Sequence, residues 1–365
     1  MTFPRNNNFD LLRLIAALQV FIYHTLNHYK ILDYYPLVPS FLNQFPGVPI
    51  FFMISGFLIT DSFQRNQKSI GKYFYNRALR IFPALWACLI ITICLLQFFI
   101  KLDWLNPKLY LWILAQISFF QTYNLEIFET WGMGVPNGSL WSIVVELQFY
   151  LFLPLIVVII NKLEKLRSVN IFLICVFLTS YTFSHFIHVY VNDPYNNFKI
   201  FEHPKALLSL RILSTSVFWN IYYFMLGIGV YYNFDNLRRF FENKLIIWLS
   251  VYIIYISSFI LIFDQYISPD ASNIYSFIEL ILLVFLTFSF AFSYNNWSEK
   301  LLKHNDISYG IYIYHMPVIN TIIALNIQNM SLKILITSII VINLAILSWL
   351  LIEKRVIALK KFYSK

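Results

Sequence analysis

The chain has few charged residues. Asp, Glu, Lys and Arg make up 12% of its 365 residues, whereas a soluble domain carries about 25%. Hydrophobic residues make up 59% of the chain, and the mean hydropathy is +0.64. This shortage of charge excludes a soluble globular domain and indicates a protein that lies in a membrane over almost its whole length.

Cysteine is also scarce. The three cysteines, Cys88, Cys94 and Cys175, lie in apolar runs without metal-binding spacing, which argues against a disulfide framework and a metal site. Residues 1–8 are short and polar, and no small-residue cleavage site follows the first apolar run. We therefore expect the first helix to remain as a permanent membrane anchor, and we expect no metal cofactor.

Ten stretches are long and apolar enough to cross a hydrocarbon layer of about 30 Å. The stretch 107–123 begins with Asn106-Pro107 and contains several polar residues, so we predict a short re-entrant or interfacial helix there. The ten predicted spans lie at 9–29, 45–62, 81–100, 139–160, 169–190, 209–232, 245–263, 273–294, 307–327 and 333–352. The sequence thus predicts an all-α membrane bundle, a single domain over 1–365 with no appended soluble domain.

The basic residues orient this bundle. With ten spans, about 20 of the 27 lysines and arginines fall on the side of the N-terminus, and such an excess marks the cytoplasmic side. An eleventh span at 107–123 would invert every later segment. We therefore predict that both termini and the segment 63–80 are cytoplasmic. The same rule explains the net charge of +9 better than nucleic-acid binding does.

Arg13 and His24 lie in the first predicted helix. They are separated by ten residues, or roughly 16 Å along a helix, and project from nearly the same face. Ionisable residues inside a membrane usually line a polar cavity, so we expect these two to face one. The alternative is that Arg13 extends to lipid headgroups while His24 only packs.

Arg77 and Arg80 lie one helical turn apart on the cytoplasmic side. Two guanidinium groups at this spacing suit phosphate binding, although ordinary cytoplasmic positive charge explains such a pair equally well. Glu146 lies in the otherwise apolar stretch 137–154, where a carboxylate needs a partner. That partner could also be a cation in a purely structural ion pair.

Two further stretches carry polar residues inside predicted spans. Ser55 and Gly56 allow close approach of another helix, and packing is their simpler role. Tyr309, Tyr312 and His315 recur at intervals of three and drift around one helix face before a proline. A histidine in such a position is more often structural than functional.

Taken together, these blocks resemble the membrane-bound acyltransferase-3 family, bacterial ten-helix proteins that acylate sugars at the cell surface. The blocks occur in the family's order: the Arg-x10-His helix, FFMISGF, the R-x-x-R-I-x-P block, SLWSIVVELQFYLFLP, SYGIYIYH and a terminal IEKRV. The chain departs from the family at Phe74, where a tyrosine is usual, at Leu147, where a second glutamate is usual, and at Arg355, where proline is common.

The resemblance implies an O-acetyltransferase of the bacterial inner membrane that takes acetyl-CoA from the cytoplasm. The phosphates of acetyl-CoA would meet Arg77, Arg80 and Arg13. His24 would act as general base on a hydroxyl of a surface or lipid-linked saccharide. Glu146 would orient His24. Residues expected to bind substrate or line the passage are Ser55, Ser142, Tyr150 and His315.

Depth along the helices predicts that His24 and Glu146 meet. Counting from the helix ends, His24 lies roughly 7 Å and Glu146 roughly 10 Å below the outer surface, so we expect their side chains within about 6 Å of each other. The alternatives are succinyl transfer by the same fold and a transporter or flippase that uses the same buried charges. A glycosyltransferase would need an acidic outer site, and Asp103, Glu126 and Glu129 are scattered in sequence.

Overall fold

The structure is a computed structural model, and within the part of the chain it describes every regular element is helical. The described residues are 4, 7–35, 37–65, 69–163, 165–192, 213–263, 274–294 and 296–359. In chain order the α-helices are α1 Phe9–His28, α2 Leu37–Asn43, α3 Gly47–Arg65, α4 Ile70–Ile100, α5 Pro107–Ile117, α6 Trp141–Lys162, α7 Leu166–Asn192, α8 Val217–Tyr232, α9 Phe234–Phe241, α10 Leu245–Phe263, α11 Ile274–Phe292, α12 Trp297–Leu302, α13 Ser308–Ala324, α14 Met330–Ser348 and α15 Lys354–Ala358. Short 3-10 helices cover Glu126–Thr130 and Gly138–Leu140, and a π-helix covers Trp349–Glu353.

The predicted all-α membrane bundle is confirmed. Among the described residues, eight helices are long and apolar enough to cross a membrane. The other two predicted spans correspond to α8, with 16 residues, and α13, with 17 residues. The start of the predicted span at 209–232 lies outside the described residues up to position 212.

Two predicted helix boundaries, the end of the second span and the start of the third, are wrong. The helix predicted for 81–100 is α4, which begins at Ile70, with the Ser69 side chain accepting a hydrogen bond from the Lys72 amide. Its 31 residues extend for about 46 Å, well beyond the thickness of the hydrocarbon layer. Arg77 and Arg80 therefore lie on a helix rather than at its entry, and little of 63–80 is loop, since α3 also runs to Arg65.

The short helix predicted near 107–123 is present as α5, with Pro107 in its first turn and the Asn106 side chain capping it at Lys108. Helix α5 ends at Ile117 because Ser118 leaves helical geometry. Two short 3-10 helices lie within the irregular segment that connects α5 to α6. This segment therefore has more structure than its polar sequence predicts.

The described contacts group into two compact units. Unit 1 comprises Met1–Ala16, Ser40–Gln64 and Gln148–His304, and unit 2 comprises Ala17–Pro39, Arg65–Leu147 and Asn305–Lys365. Helices α1 and α6 contribute residues to both units. A single domain over the whole chain remains a prediction, and each unit is described by itself.

In unit 1, the beginning of α1 is held by Asn8 and Phe9. Asn8 is fully buried, its amide donates to the Ala291 carbonyl at 2.8 Å, and its side chain donates to the Ser293 carbonyl at 2.6 Å. The Phe9 ring packs edge-on against Phe292, with centroids 5.4 Å apart. Aromatic packing and one saturated amide therefore fix the point at which α1 begins.

Helices α3 and α8 of unit 1 pack backbone to backbone. A Cβ atom on Gly56 would lie 2.3 Å from the Phe224 carbonyl oxygen, and one on Gly227 would lie 2.1 Å from the Met53 carbonyl oxygen. Such contacts are impossible for any larger residue unless the helices separate. The packing role predicted for the Ser55-Gly56 pair is thus confirmed for Gly56.

In unit 2, α13 packs closely on α14 and also anchors the segment 133–136 that precedes α6. A Cβ atom on Gly310 would lie 2.7 Å from the Ala345 Cα atom. The fully buried Asn320 side chain accepts from the Met133 amide at 2.8 Å and donates to the Val135 carbonyl at 2.9 Å. These bonds attach the segment before α6 to the helix that carries His315.

The glycine contact between α3 and α8 makes a stability prediction. We expect Gly227→Ala to lower the stability by about 1–3 kcal/mol, because the new methyl group forces apart two backbones that cannot yield elsewhere. Thermal unfolding in detergent measures this loss. The control is Gly229→Ala, since a Cβ atom there meets nothing within 4 Å. Equal stability of both variants would contradict the close packing.

Candidate active site

The two histidines singled out in the sequence meet in unit 2. His24 on α1 and His315 on α13 are joined by a bond of 2.8 Å between Nδ1 of His24 and Nε2 of His315. Their rings stack with centroids 5.1 Å apart. His315 is fully buried, whereas His24 is half-buried. His24 is therefore accessible to a substrate, while the buried His315 holds the His24 ring in position through this hydrogen bond.

The hydrogen positions in this pair follow from a backbone carbonyl. Nδ1 of His315 lies 3.2 Å from the Ile311 carbonyl oxygen, which only accepts, so Nδ1 must carry the proton. The Nε2 atom of a neutral His315 is then an acceptor, and Nδ1 of His24 donates to it. In the neutral pair, Nε2 of His24 is left with its lone pair, which is the state a general base requires.

A third histidine lies beside this pair. The His28 ring is 5.6 Å from the His24 ring, one turn further along α1. The spacing of four residues from His24 to His28 was a sequence signal for a shared helix face. His28 is partly buried and lies beside the His24–His315 pair.

Ser142 and Tyr312 form the next part of the site. The Ser142 hydroxyl is hydrogen-bonded to the Tyr312 hydroxyl, and the Tyr312 ring lies edge-on to His315 with centroids 5.9 Å apart. Both side chains are buried, and Tyr312 also donates to the Ser139 carbonyl at 3.1 Å. Ser142, predicted to line a passage, is thus connected to His315 through Tyr312.

Glu146 lies within electrostatic range of the phenols of Tyr73, Tyr309 and Tyr312. The hydrogen bond of His24 goes to His315, an imidazole partner on α13 that the depth count did not predict. The approach of Glu146 to within about 6 Å of His24, directly or through one water, stays a prediction. Equal depth in the membrane does not fix the direction in which a side chain leaves its helix.

Arg77 lies one helical turn after Tyr73 on α4. Tyr73 is fully buried, one turn before Arg77 on α4, and the charges of Arg77 and Glu146 both act on its phenol. The family tyrosine replaced by Phe74 therefore has a neighbour in Tyr73 whose hydroxyl is near the arginine. The spacing of four residues between Tyr73 and Arg77 was the sequence signal for this proximity.

Arg80 is enclosed by carboxylates. Its guanidinium is paired with Asp306 and, at 3.5 Å, with Glu353, and these carboxylates are 8% and 2% exposed. Ser308 donates to Asp306 from its amide at 3.1 Å, and Ser348 donates to Glu353 at 3.1 Å. Arg80 thus ties α4 to both ends of the α13–α14 hairpin.

The carboxylates around Arg80 were missed in the sequence. Asp306 precedes the SYGIYIYH block and Glu353 belongs to the IEKRV block. Neither block indicated in the sequence that its carboxylate pairs with an arginine. Glu353 closes a π-helix, Trp349–Glu353, and such irregular turns often mark functional positions. Besides the predicted binding of acetyl-CoA, Arg80 therefore has a structural role as an alternative, because it forms ion pairs with these two carboxylates.

The remaining predicted residues belong to unit 1. Arg13 pairs with Asp10 on its own helix at 3.4 Å and is partly exposed. Ser55 is buried beside the glycine contact of α3, and Tyr150 is buried on α6. The structure gathers His24, Ser142, His315, Glu146 and Arg77 in unit 2, while these three residues are described with the other unit.

Comparison with known proteins identifies the family. The family model for an acyltransferase domain, acyltransferase-3, matches residues 6–353. The chain is 31% identical to nodulation protein 10 of Rhizobium leguminosarum bv. viciae, over 97% of this chain and 94% of that protein. It is 27% identical to an O-acetyl transferase of Shigella phage Sf6, over 96% of each.

A longer relative is the O-acetyltransferase OatA of Staphylococcus aureus strain NCTC 8325. It is 26% identical over 85% of this chain, which spans about half of that protein. No solved structure matches the chain significantly. The chain belongs to the acyltransferase-3 family. It is accordingly a membrane enzyme that transfers an acyl group to oxygen.

The cluster around Arg80 makes a prediction about stability. We expect Arg80→Met to destabilise unit 2 by about 3–5 kcal/mol, because two buried carboxylates would face each other without a cation. Adding Asp306→Asn and Glu353→Gln to Arg80→Met should restore much of the loss. Thermal unfolding in detergent measures both effects.

The matched control is the exposed pair between Arg238 and Glu242, joined at 2.6 Å. We expect Arg238→Met to change the stability by no more than about 1 kcal/mol. An Arg80→Met variant as stable as this control would show that the buried cluster does not hold the helices together.

Proposed function

We propose that this enzyme transfers an acetyl group from acetyl-CoA to a hydroxyl of a saccharide at the cell surface, with His24 as general base. The observation that carries the proposal is the bond between His24 and His315, which leaves Nε2 of a half-buried histidine unprotonated in the neutral pair. A neutral imidazole suits proton transfer near physiological pH.

The saccharide acceptor is supported by the name of one relative. A protein of Listeria monocytogenes serovar 1/2a, 27% identical over 43% of this chain and 25% of that protein, is named a peptidoglycan O-acetyltransferase. The acceptor proposed here is a lipid-linked or polymerised glycan. Succinyl transfer is the competing donor chemistry, and family membership argues against the transporter or flippase alternative.

In the proposed reaction, Nε2 of His24 removes the proton from the acceptor hydroxyl as its oxygen attacks the thioester carbonyl. The new C–O bond forms, the C–S bond breaks, and His24 returns the proton to the departing sulfur. His315 holds the His24 ring by accepting from Nδ1, and that bond strengthens when His24 becomes charged. Atoms and protons balance without a metal or an oxidant.

Glu146 is proposed as a positioning residue. Its charge acts on the phenol of Tyr312, which in turn contacts both Ser142 and His315. A carboxylate at this place stabilises the orientation of the tyrosine hydroxyls rather than that of His24 directly. In place of the catalytic role implied by the family resemblance, Glu146 is therefore proposed to act on His24 through Tyr312 and His315.

Arg77 is proposed to bind the phosphates of acetyl-CoA. It lies on the first turns of α4, which by length extend past the hydrocarbon layer on the cytoplasmic side of the proposed topology. Arg80, three residues on, already has two carboxylate partners. A third donor contact was predicted for Arg13, which the structure pairs with Asp10.

The proposed location is the bacterial inner membrane, with both termini in the cytoplasm. This topology is supported by the excess of lysine and arginine on the side of the N-terminus. The donor would then enter from the cytoplasm, and the acceptor would reach His24, near the end of α1, from outside. The two substrates approach from opposite sides, which separates donor-binding from acceptor-binding residues.

The proposed role of His24 as general base can be tested by substituting His24 and its hydrogen-bond partner His315. Assays would use membranes from a strain lacking the gene, with radiolabelled acetyl-CoA, a parallel succinyl-CoA assay and label scored on host glycans. We expect His24→Ala to abolish transfer. We expect His315→Leu to lower kcat by about 100-fold, because His24 loses the acceptor that fixes its tautomer.

His315→Gln keeps an acceptor oxygen and should recover part of the lost kcat, while KM for both substrates stays close to that of the wild type. His304→Ala is the control, since that histidine has a side chain 81% exposed and lies in unit 1. Full activity of His315→Leu, at normal protein levels, would remove His315 from the mechanism.

The donor site is tested by the two arginines of α4. We expect Arg77→Gln to raise KM for acetyl-CoA by about tenfold or more, as expected for a lost charge-assisted hydrogen bond, with KM for the glycan unchanged. Arg80→Gln should instead reduce the amount of folded enzyme. A raised KM for acetyl-CoA in folded Arg80→Gln, with none in Arg77→Gln, would exchange the two assignments.

A further inference from the structure

The segment between α4 and α6 of unit 2, which lies on the outer side in the proposed topology and is here called the outer segment, forms an open cavity that the mechanism above does not use. The cavity has a volume of about 350 Å³ and lies between the turn after α4, the first turns of α5 and the start of the 3-10 helix Glu126–Thr130. This volume is within the range of small-molecule sites, about 300–1,000 Å³. It is therefore large enough for a ligand rather than for single waters.

The cavity rests on a rigid apolar base. Leu102 and Leu109 line it and are buried, and behind them lie Trp112, Phe128 and Trp131, each no more than 1% exposed. The rings of Trp112 and Phe128 are in edge contact, with centroids 4.8 Å apart. A site supported by packed aromatic residues keeps its shape when empty, which lowers the entropy lost on binding.

Three polar side chains that line the cavity are each held by a hydrogen bond to a nearby backbone group, and this bond involves only one atom of the side chain. One oxygen of Asp103 accepts from the Leu105 amide at 3.0 Å, and the Asn106 oxygen accepts from the Lys108 amide at 3.0 Å. The Asn124 amide donates to the Thr122 carbonyl at 3.2 Å. Each side chain is oriented by one atom and retains further hydrogen-bonding capacity for a ligand.

The chemistry of the lining favours a neutral saccharide. Asp103 and Glu126 accept hydrogen bonds, the amides of Asn106 and Asn124 do both, and Tyr123 adds an aromatic face that is 37% exposed. Sugar hydroxyls both donate and accept, and the C–H faces of a sugar ring pack on aromatic rings. Two carboxylates against the one lysine that lines the cavity disfavour an anionic ligand.

A divalent cation is the competing ligand. Calcium needs six to eight oxygen atoms at 2.3–2.6 Å, and a cavity of about 350 Å³ is too wide for the few carboxylates and amides that line it. Among the described residues no group of three or more His, Cys, Asp or Glu side chains could hold a metal ion. The size of the cavity thus selects an organic ligand over an ion.

We infer that this cavity, here called the outer cavity, binds the acceptor glycan through a sugar unit other than the one that is acetylated. The inference rests on the proposed function, because it requires a saccharide acceptor on the outer side. Binding energy from such a remote unit holds the reacting hydroxyl at His24. The sequence separates Asp103 from Glu126 by more than twenty positions, and only the fold brings them to one cavity.

The test uses the full-length enzyme in detergent and, as acceptor, the surface polysaccharide released from a strain that lacks the gene. We expect Glu126→Gln and Asp103→Asn each to raise KM for this polysaccharide by about tenfold. KM for acetyl-CoA and the thermal stability should not change. Glu129→Gln is the matched control, because Glu129 is exposed on the same 3-10 helix but does not line the cavity.

A separate binding measurement distinguishes failure of this inference from failure of the proposed function. Thermophoresis of the purified enzyme with the same polysaccharide needs no acetyl transfer, and we expect weaker binding by Tyr123→Ala and Glu126→Gln than by Glu129→Gln. If the wild-type enzyme binds the polysaccharide but transfers no acetyl group, the proposed function fails and the outer cavity stands.

Two results would overturn the inference while leaving the proposed function intact. One is an active wild-type enzyme whose outer-cavity variants bind and modify the polysaccharide as the control does. The other is polysaccharide binding that is lost in EDTA and restored by calcium chloride, because this would make the outer cavity a cation site.

Discussion

Each polar side chain inside an apolar helix must find a partner, because an unpaired polar group in hydrocarbon costs several kcal/mol. This constraint explains most of the contacts that position the site. Asn8 saturates the start of α1, Asn320 attaches the outer segment to α13, and Arg80 joins α4 to Asp306 and Glu353. The histidine pair obeys the same rule, since Nδ1 of His24 donates a hydrogen bond and Nε2 of His315 accepts it.

The same constraint separates the two arginines of α4. A guanidinium enclosed by two buried carboxylates is already neutralised, and moving it to a phosphate would expose those carboxylates to each other. Arg77, one turn nearer the helix start, lies by a tyrosine instead. The two arginines of an R-x-x-R motif can thus have different surroundings, although both look alike in sequence, and only Arg77 is proposed to bind a ligand.

Composition and helical periodicity predicted the all-α bundle and most helix positions, whereas the roles of His24, Arg77 and Glu146 were implied by the family resemblance and stay predictions. Composition and periodicity did not predict that α4 begins at Ile70, because its first turns are polar enough to resemble a loop. They also did not predict the partner of His24. Depth counts along two helices constrain only one coordinate, whereas a contact depends on the rotation of each helix, which is set by packing such as that of Gly310 on Ala345.

The identity of that partner matters for the proposed chemistry. A carboxylate bonded to His24 would favour the charged imidazolium already before the substrate binds, and a charged histidine cannot act as a base. A neutral His315 fixes the same tautomer without that bias. Its bond to His24 becomes charge-assisted only when the proton arrives, so it is stronger in the transition state than in the ground state, and only such interactions accelerate the chemical step.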